Sequence, residues 1–375
     1  MQIINGLVLN GETNRFEPLN IQINNGKIAS LNNKVANEEV YDAKGKYIIS
    51  GFIDTHIHGC VGVEFASDNE DFTKAQKWLA NEGVTAFATT VRTMVTERMV
   101  AAEKNILRES KKPTDYAKIM GINLEGPFIS ALKSGSMAPP ADMLCDINTM
   151  DAFITAGNGF LKLITIAPEL ENACDVIAYA AQKGVNVSIG HTNATYQESQ
   201  RAINAGATRA THVFNAMRPL SHRETGVLGA VLTDDRINCE MICDLVHLDA
   251  PAINLVYKSK GFNNITLISD TGAMSGLGDG DFVVNGVVRT VKNGICRNPQ
   301  GVIAGSCYSM YYGAKNLLKL GIPLEEISVM ASLNPAKALG CGNIMGSIRA
   351  GNCADLIICD KELNIEAVFI NGKKV

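Results

Sequence analysis

From about residue 52 to about residue 340 the chain alternates short apolar runs with amphipathic stretches, and this alternation restricts the fold more than any other feature. The runs Phe52–His58, Val84–Val91, Ile119–Leu124, Leu161–Ala167, Val185–His191, Thr208–Val213, Cys239–Cys243 and Ile265–Asp270 read as buried strands. Helical periodicity lies between them at Asp71–Glu82, Thr96–Ser110, Ala173–Lys183 and Tyr196–Ala205. Strands and helices alternating eight times over this length predict an α/β fold of the (β/α)8 TIM-barrel type. A doubly wound sheet is the rival, but it would carry a glycine-rich fingerprint after a strand, and none is present.

The two ends have a different texture. Met1–Asn10, Asn20–Asn24 and Lys27–Asn32 alternate apolar and polar residues and are broken by Asn-Gly turns, the mark of short hairpin strands. Ala354–Asp360 and Ile365–Ile370, followed by Asn371-Gly372, repeat the pattern. Residues 1–50 and 345–375 are therefore expected to build one small β-sandwich domain around a catalytic barrel at 51–344.

Composition removes several classes of function. The formal charge of −4 lacks the basic field of a nucleic-acid binder, and no apolar run approaches a membrane span. The first residues show no basic, apolar leader, so a cytoplasmic location is expected. The 10 cysteines contain no C-x-x-C spacing and read as small buried apolar residues.

The chemistry-bearing residues fall at strand ends. His56 and His58 end the first run, Glu125 the third, His191 the fifth, His212 the sixth and Asp270 the eighth. In a barrel these ends converge on one mouth, and residues two apart on a strand face the same way. Ordinary core histidines would not recur at that place.

Gly51-Phe52-Ile53-Asp54-Thr55-His56-Ile57-His58-Gly59 resembles the signature of the metal-dependent amidohydrolase superfamily. A narrower resemblance is to the N-acetylglucosamine-6-phosphate deacetylase family. It is carried by Leu124-Glu125-Gly126-Pro127-Phe128, Gly190-His191-Thr192, Thr211-His212-Val213-Phe214-Asn215-Ala216-Met217 and Ser269-Asp270-Thr271. Ile303-Ala304-Gly305-Ser306, Asn334–Gly340 and the ending Gly346–Leu356 match in the same order.

The resemblance implies that Glu125, His191 and His212 hold a divalent metal, zinc or iron, and that His56 and His58 hold a second one in some members. It makes Asp270 the catalytic aspartate, taking a proton from the attacking water and passing it to the departing amine; read alone, Asp270 could be a helix cap. Ser136, Met137, Asn215, Ala216, His247, Ala304, Gly305 and Ser306 would contact the substrate, with His247 and Arg223 on its phosphate. The family's arginine reaches in from a neighbouring subunit, so a homodimer is implied; on its own Arg223 reads as a solvated loop residue. His222 is given no role. The glycine-rich stretch Gly272–Gly280 reads as a mobile loop over the site.

One segment departs from the pattern. Lys133-Ser134-Gly135-Ser136-Met137-Ala138-Pro139 places Met137 where the family usually has a histidine that polarises the substrate carbonyl. A thioether cannot donate a hydrogen bond. A second metal at His56 and His58, another donor nearby, or a changed substrate would each account for it. The expected reaction is hydrolysis of N-acetyl-D-glucosamine 6-phosphate to acetate and D-glucosamine 6-phosphate. The alternatives are another amide, such as N-acetylgalactosamine 6-phosphate, and a non-catalytic barrel that only binds.

Overall fold

The computed structural model describes residues 1–32, 39–67, 69–137, 144–284 and 286–375. Ala138 and Pro139, at the end of the departing segment, lie outside the described residues, as do 33–38 of the N-terminal part.

The eight expected barrel strands form one parallel sheet in sequence order: Phe52–Ile57, Val84–Arg92, Lys118–Glu125, Leu161–Ile166, Asn186–Ile189, Ala207–Ala210, Asn238–Ile242 and Ile265–Ile268. Every residue of the first is buried, because helices cover one face and the barrel core the other, and Asp54, Thr55 and His56 are enclosed with its apolar residues. Helices pack outside, and Thr96–Ser110 and Tyr196–Ala205 match their expected bounds. The second begins with a full capping box, in which Thr195 and Glu198 satisfy each other's backbone N–H groups.

The last and first strands are tied by a side chain. Asp54, inside the motif at residues 51–59, accepts the backbone N–H of Ser269 at 3.3 Å and of His56 at 3.2 Å. The N–H of Asp270 then donates to the His56 carbonyl at 2.9 Å. Burial pushes the Asp54 carboxyl up to about 6, although these N–H groups pull the other way. The aspartate of the motif therefore closes the barrel under the site.

The chain ends join in one eight-stranded sheet, running Lys373–Lys374, Ile365–Ile370, Leu356–Cys359, Tyr47–Ser50, Gln2–Asn10, Arg15–Asn24 and Lys27–Leu31, with Val40–Asp42 beside Gln2–Asn10. Its own core holds Ile3, Val8, Ile21, Ile48, Leu356, Ile358 and Phe369. The turn at Asn25-Gly26 has both φ angles positive, 49° and 75°, the mirror-image turn that suits the twist of a hairpin and that Asn-Gly tolerates best.

One unit had no counterpart in the sequence reading. Gly280–Val284, Val287–Lys292, Ile295–Arg297 and Ile303–Ser306 form a four-stranded sheet inserted after the eighth barrel strand. The preceding stretch Gly272–Gly280, expected as a mobile loop over the site, divides in two: Gly276–Gly280 is exposed and the part before it is held in place. Ala273, Met274 and Ser275 are buried, and the Ser275 hydroxyl donates to the Ser306 carbonyl at 2.7 Å. Ser275 and Ala273 also accept the N–H groups of Val61 and Gly62, each at 2.7 Å, so this stretch is pinned to the barrel rim. Among the described residues no helix is long and apolar enough to cross a membrane.

Candidate metal centre

The three residues expected to end the fifth, sixth and eighth strands lie beyond their ladders, in left-handed backbone. His191, His212 and Asp270 have φ of 46°, 27° and 52°, a conformation that L-residues avoid. The ladders stop at Ile189, Ala210 and Ile268, short of the expected ends, because this turn breaks the extended backbone and aims each side chain at the barrel axis. Such strain persists only where surrounding structure enforces it, which is typical of functional sites. Gly305 belongs to that surrounding: its φ is 77°, and a Cβ there would meet the Asp270 carbonyl oxygen at 3.0 Å.

Around Glu125 four imidazoles converge. Its Oε1 lies 3.0 Å from His191 Nε2, 2.9 Å from His212 Nε2 and 3.4 Å from His56 Nε2, and its Oε2 lies 3.2 Å from His58 Nε2. His191 Nε2 is also 3.2 Å from His212 Nε2. Asp270 Oδ1 sits 3.3 Å from His58 Nε2 and 3.6 Å from His56 Nε2. Two sets of ligand atoms within 4.8 Å of one another share Glu125: Glu125, His191 and His212, and His56, His58 and Glu125.

The outer ring nitrogens decide what this cluster needs. His191 Nδ1 is 2.9 Å from the Lys133 carbonyl oxygen, which only accepts, so Nδ1 carries the proton. His56 Nδ1 is likewise 3.1 Å from a carboxylate oxygen of Glu240. In the neutral rings both Nε2 lone pairs therefore point at carboxylate oxygens, acceptor against acceptor. His56 Nε2 is buried without a hydrogen-bond partner. Such a centre requires positive charge between the donors, and nitrogen and oxygen ligands of this kind fit a divalent transition metal.

The proton affinities carry the same message. Burial would raise the Glu125 carboxyl, but the charges of His191 and His58 overcome it and hold it well below its ordinary value. Burial would lower His58, yet Glu125 and Asp270 outweigh it and lift its imidazole to about 9. Asp270 is held down, mainly by His58 and His56 working against its burial, so it is a carboxylate at neutral pH.

A cavity of about 660 Å³ opens over this centre. His58, Glu125, Ser136, Met137, His191, His212, Asn215, Ala216, His247, Asp270, Ala304 and Gly305 line it, as the sequence led one to expect. Three expected residues do not. His56 is fully buried behind the centre. Ser306 is buried too, with its hydroxyl donating to Asp244 Oδ2 at 2.8 Å. Arg223 is exposed on the turn before helix Gly226–Thr233 and does not face this cavity.

Two carboxylates escaped the sequence reading. Glu240 lies buried between His56 and Arg209, with Oε1 3.2 Å from Arg209 Nη2. Asp244 accepts His247 Nδ1 at 2.8 Å; burial opposes the charged imidazole, but Asp244 more than offsets it and raises the His247 pKa. One signal was available: a lone charge inside the buried runs Cys239–Cys243 and Thr208–Val213 must be paired, because an unpaired one is too costly.

Comparison with known proteins gives a consistent result. A sequence profile of the Amidohydrolase family matches residues 47–375. The chain is 30% identical over 377 residues to an N-acetylglucosamine-6-phosphate deacetylase of Lysinibacillus sphaericus, covering 99% of this chain and 97% of that one. It is 32% identical over 336 residues to an N-acetylgalactosamine-6-phosphate deacetylase of Escherichia coli O157:H7, covering 89% of each. A solved N-acetyl-D-glucosamine-6-phosphate deacetylase of Mycobacterium smegmatis superposes with a TM-score of 0.91 at 30% identity, over 100% of both chains. A mutant of that protein in complex with N-acetyl-D-glucosamine-6-phosphate gives 0.90 at 30% identity, over 100% of this chain and 98% of that one.

Proposed function

The chain belongs to the amidohydrolase family, and from that premise we propose that it is a hydrolase removing the acetyl group of N-acetyl-D-glucosamine 6-phosphate, giving acetate and D-glucosamine 6-phosphate. The observation that carries the reading is the convergence of Glu125, His191, His212 and Asp270 at the floor of one cavity.

The barrel, residues 51–344, would carry the chemistry, and the small sheet of residues 1–50 and 345–375 would carry none. A divalent cation, zinc or iron, held by Glu125, His191 and His212, with His56 and His58 placed for a second, would polarise the amide carbonyl and make water nucleophilic. The other steps belong to side chains. Asp270, ionised at neutral pH, takes the proton of the attacking water and delivers it to the amine nitrogen as the C–N bond breaks. Its two neighbouring imidazoles hold its carboxylate over the cavity floor. His247, whose pKa Asp244 raises, and Asn215 with Ala216 would hold the phosphate. Arg223 is exposed and does not line this cavity, and as the family resemblance implies it would serve the site of a second copy in a homodimer. Ten unpaired thiols suit a cytoplasmic protein.

The test is acetate release from N-acetyl-D-glucosamine 6-phosphate, its galacto epimer and unphosphorylated N-acetyl-D-glucosamine. The gluco phosphate should be the best of the three, ahead of the unphosphorylated sugar by about 100-fold or more in kcat/KM. Equal turnover with and without phosphate would overturn the phosphate reading, and a clear preference for the galacto epimer would replace the substrate.

A further inference from the structure

The cavity extends beyond the groups used so far. Its wall on the side of the second barrel strand carries Arg92 at the end of that strand, Arg98 in helix Thr96–Ser110 and Arg289 from the inserted sheet. The ion-paired arginines among the described residues are Arg108, Arg209, Arg218 and Arg236, and these three are not among them. Arg289 Nη1 is buried with no hydrogen-bond partner. Burial, together with the charge of Arg92, lowers the Arg289 pKa from the usual guanidinium value, so the wall would gain from an anion. Among the described residues the carboxylate on this wall is Glu64, whose Oε1 is also buried and unpartnered, and one such charge does not balance three guanidinium groups. The same cavity is lined by the apolar side chains of Met94, Val284, Val287 and Val302.

Barrel order gives this wall its meaning. In a ring of eight strands the second stands across from the sixth, which leads into His212, Asn215 and Ala216. An amide bound at the centre has an amine side and an acyl side. With the sugar phosphate directed to Asn215, Ala216 and His247, the acyl substituent points toward Arg92 and Arg289. An acetyl group offers a single methyl there and nothing to neutralise the arginines.

We propose that this wall is an acyl subsite for a carboxylate-terminated chain, so that the enzyme takes N-acyl hexosamine 6-phosphates whose acyl group is a dicarboxylic acid, such as succinyl. The proposal rests on the deacylase reading of the same centre. The valines and Met94 would pack on the methylene chain, and Arg92 and Arg289 would bind its distal carboxylate, where planar donors pair with both oxygens. The reaction is the same hydrolysis: the C–N bond breaks, the water oxygen joins the acyl carbon, and the proton leaves on the amine.

The full-length metal-loaded enzyme is assayed for amine release from N-succinyl- and N-acetyl-D-glucosamine 6-phosphate, and succinate and butyrate binding are measured by calorimetry. The succinyl substrate should exceed the acetyl one in kcat/KM, and that ratio should fall by about 30-fold in Arg289→Met and in Arg92→Met, as loss of a charged hydrogen bond implies. Succinate should bind more tightly than butyrate, and the difference should disappear in Arg289→Met. If the acetyl substrate turns over while the succinyl one is no better and the ratio ignores Arg289, the acyl subsite is refuted and the deacetylase reading stands. If neither sugar is hydrolysed, the deacetylase reading falls, and calorimetry decides the subsite: equal binding of the two acids refutes it, and an Arg289-dependent preference for succinate supports it.

Discussion

The orientation of His56, proposed as a ligand of a second cation, comes from Glu240. The carboxylate oxygen 3.1 Å from His56 Nδ1 fixes the proton on that nitrogen and leaves Nε2 toward the centre, while Arg209 holds the other oxygen. Burial would raise the Glu240 carboxyl, but the His56 hydrogen bond and the Arg209 charge overcome it and hold it low, so it stays an acceptor at neutral pH. Glu240→Gln replaces one acceptor oxygen by a donor and frees the imidazole to turn. Metal retained after dialysis against a graded chelator should then correspond to about 10-fold weaker binding or more. An unchanged metal affinity in a variant that melts like the parent would remove Glu240 from the centre. His56, His58, Glu125, His191, His212 and Asp270 could be read from sequence because each pairs a distinctive side chain with a strand end. Glu240, Arg92 and Arg289 could not: their roles depend on which neighbour stands across the barrel, and strand spacing carries no such information.

At the scale of elements, helix Thr96–Ser110 contains an unmatched group. Glu103 is fully buried, neither carboxylate oxygen has a partner, and a Cβ at Gly157 of the next helix would come within 3.3 Å of Oε1. Burial pushes its carboxyl up to about 9, so it is neutral in the folded protein at pH 7. The sign follows: a raised folded value favours the fold fully in acid, and that contribution declines as pH climbs through the ordinary carboxylate range toward 9. Near pH 7 the burial costs on the order of 3 kcal/mol relative to an unshifted carboxyl. Glu103→Gln should therefore raise Tm at pH 8, while near pH 4.5 variant and parent should melt alike. A variant less stable at pH 8 would mean that the carboxylate has a partner in solution. Elements with a buried face, such as this helix and the barrel strands, were legible because burial leaves periodicity. The sheet at Gly280–Ser306 was not: Phe282 and Val284 pack with Val291, Cys296 and Ala304, but Val283, Val287 and Val288 are exposed, so apolar residues on both faces blur the alternation.

At the scale of the whole molecule, Arg223 decides whether one chain completes its own site. The cavity supplies His247, Asn215 and Ala216 for a phosphate, while Arg223 sits exposed away from it, as a residue serving a second copy would. Closed two-fold symmetry would make the contribution mutual, each subunit lending Arg223 and receiving its partner's. Two variants separate this arrangement from a purely local one. Arg223→Ala should lose phosphate-dependent turnover and Asp270→Asn should lose proton transfer, so each alone should be nearly inactive. Mixed through a dissociation and reassociation step, half of the dimers would contain one of each. In those dimers the subunit with Asp270 receives Arg223 from its partner and has an intact site, while the other site lacks both groups. Activity should return to about one quarter of the parent value, since one site in four is whole under random pairing. If Arg223 acted within its own chain, every site would lack one group and mixing would restore nothing. A chain that sediments as a monomer at assay concentration would exclude the shared site outright.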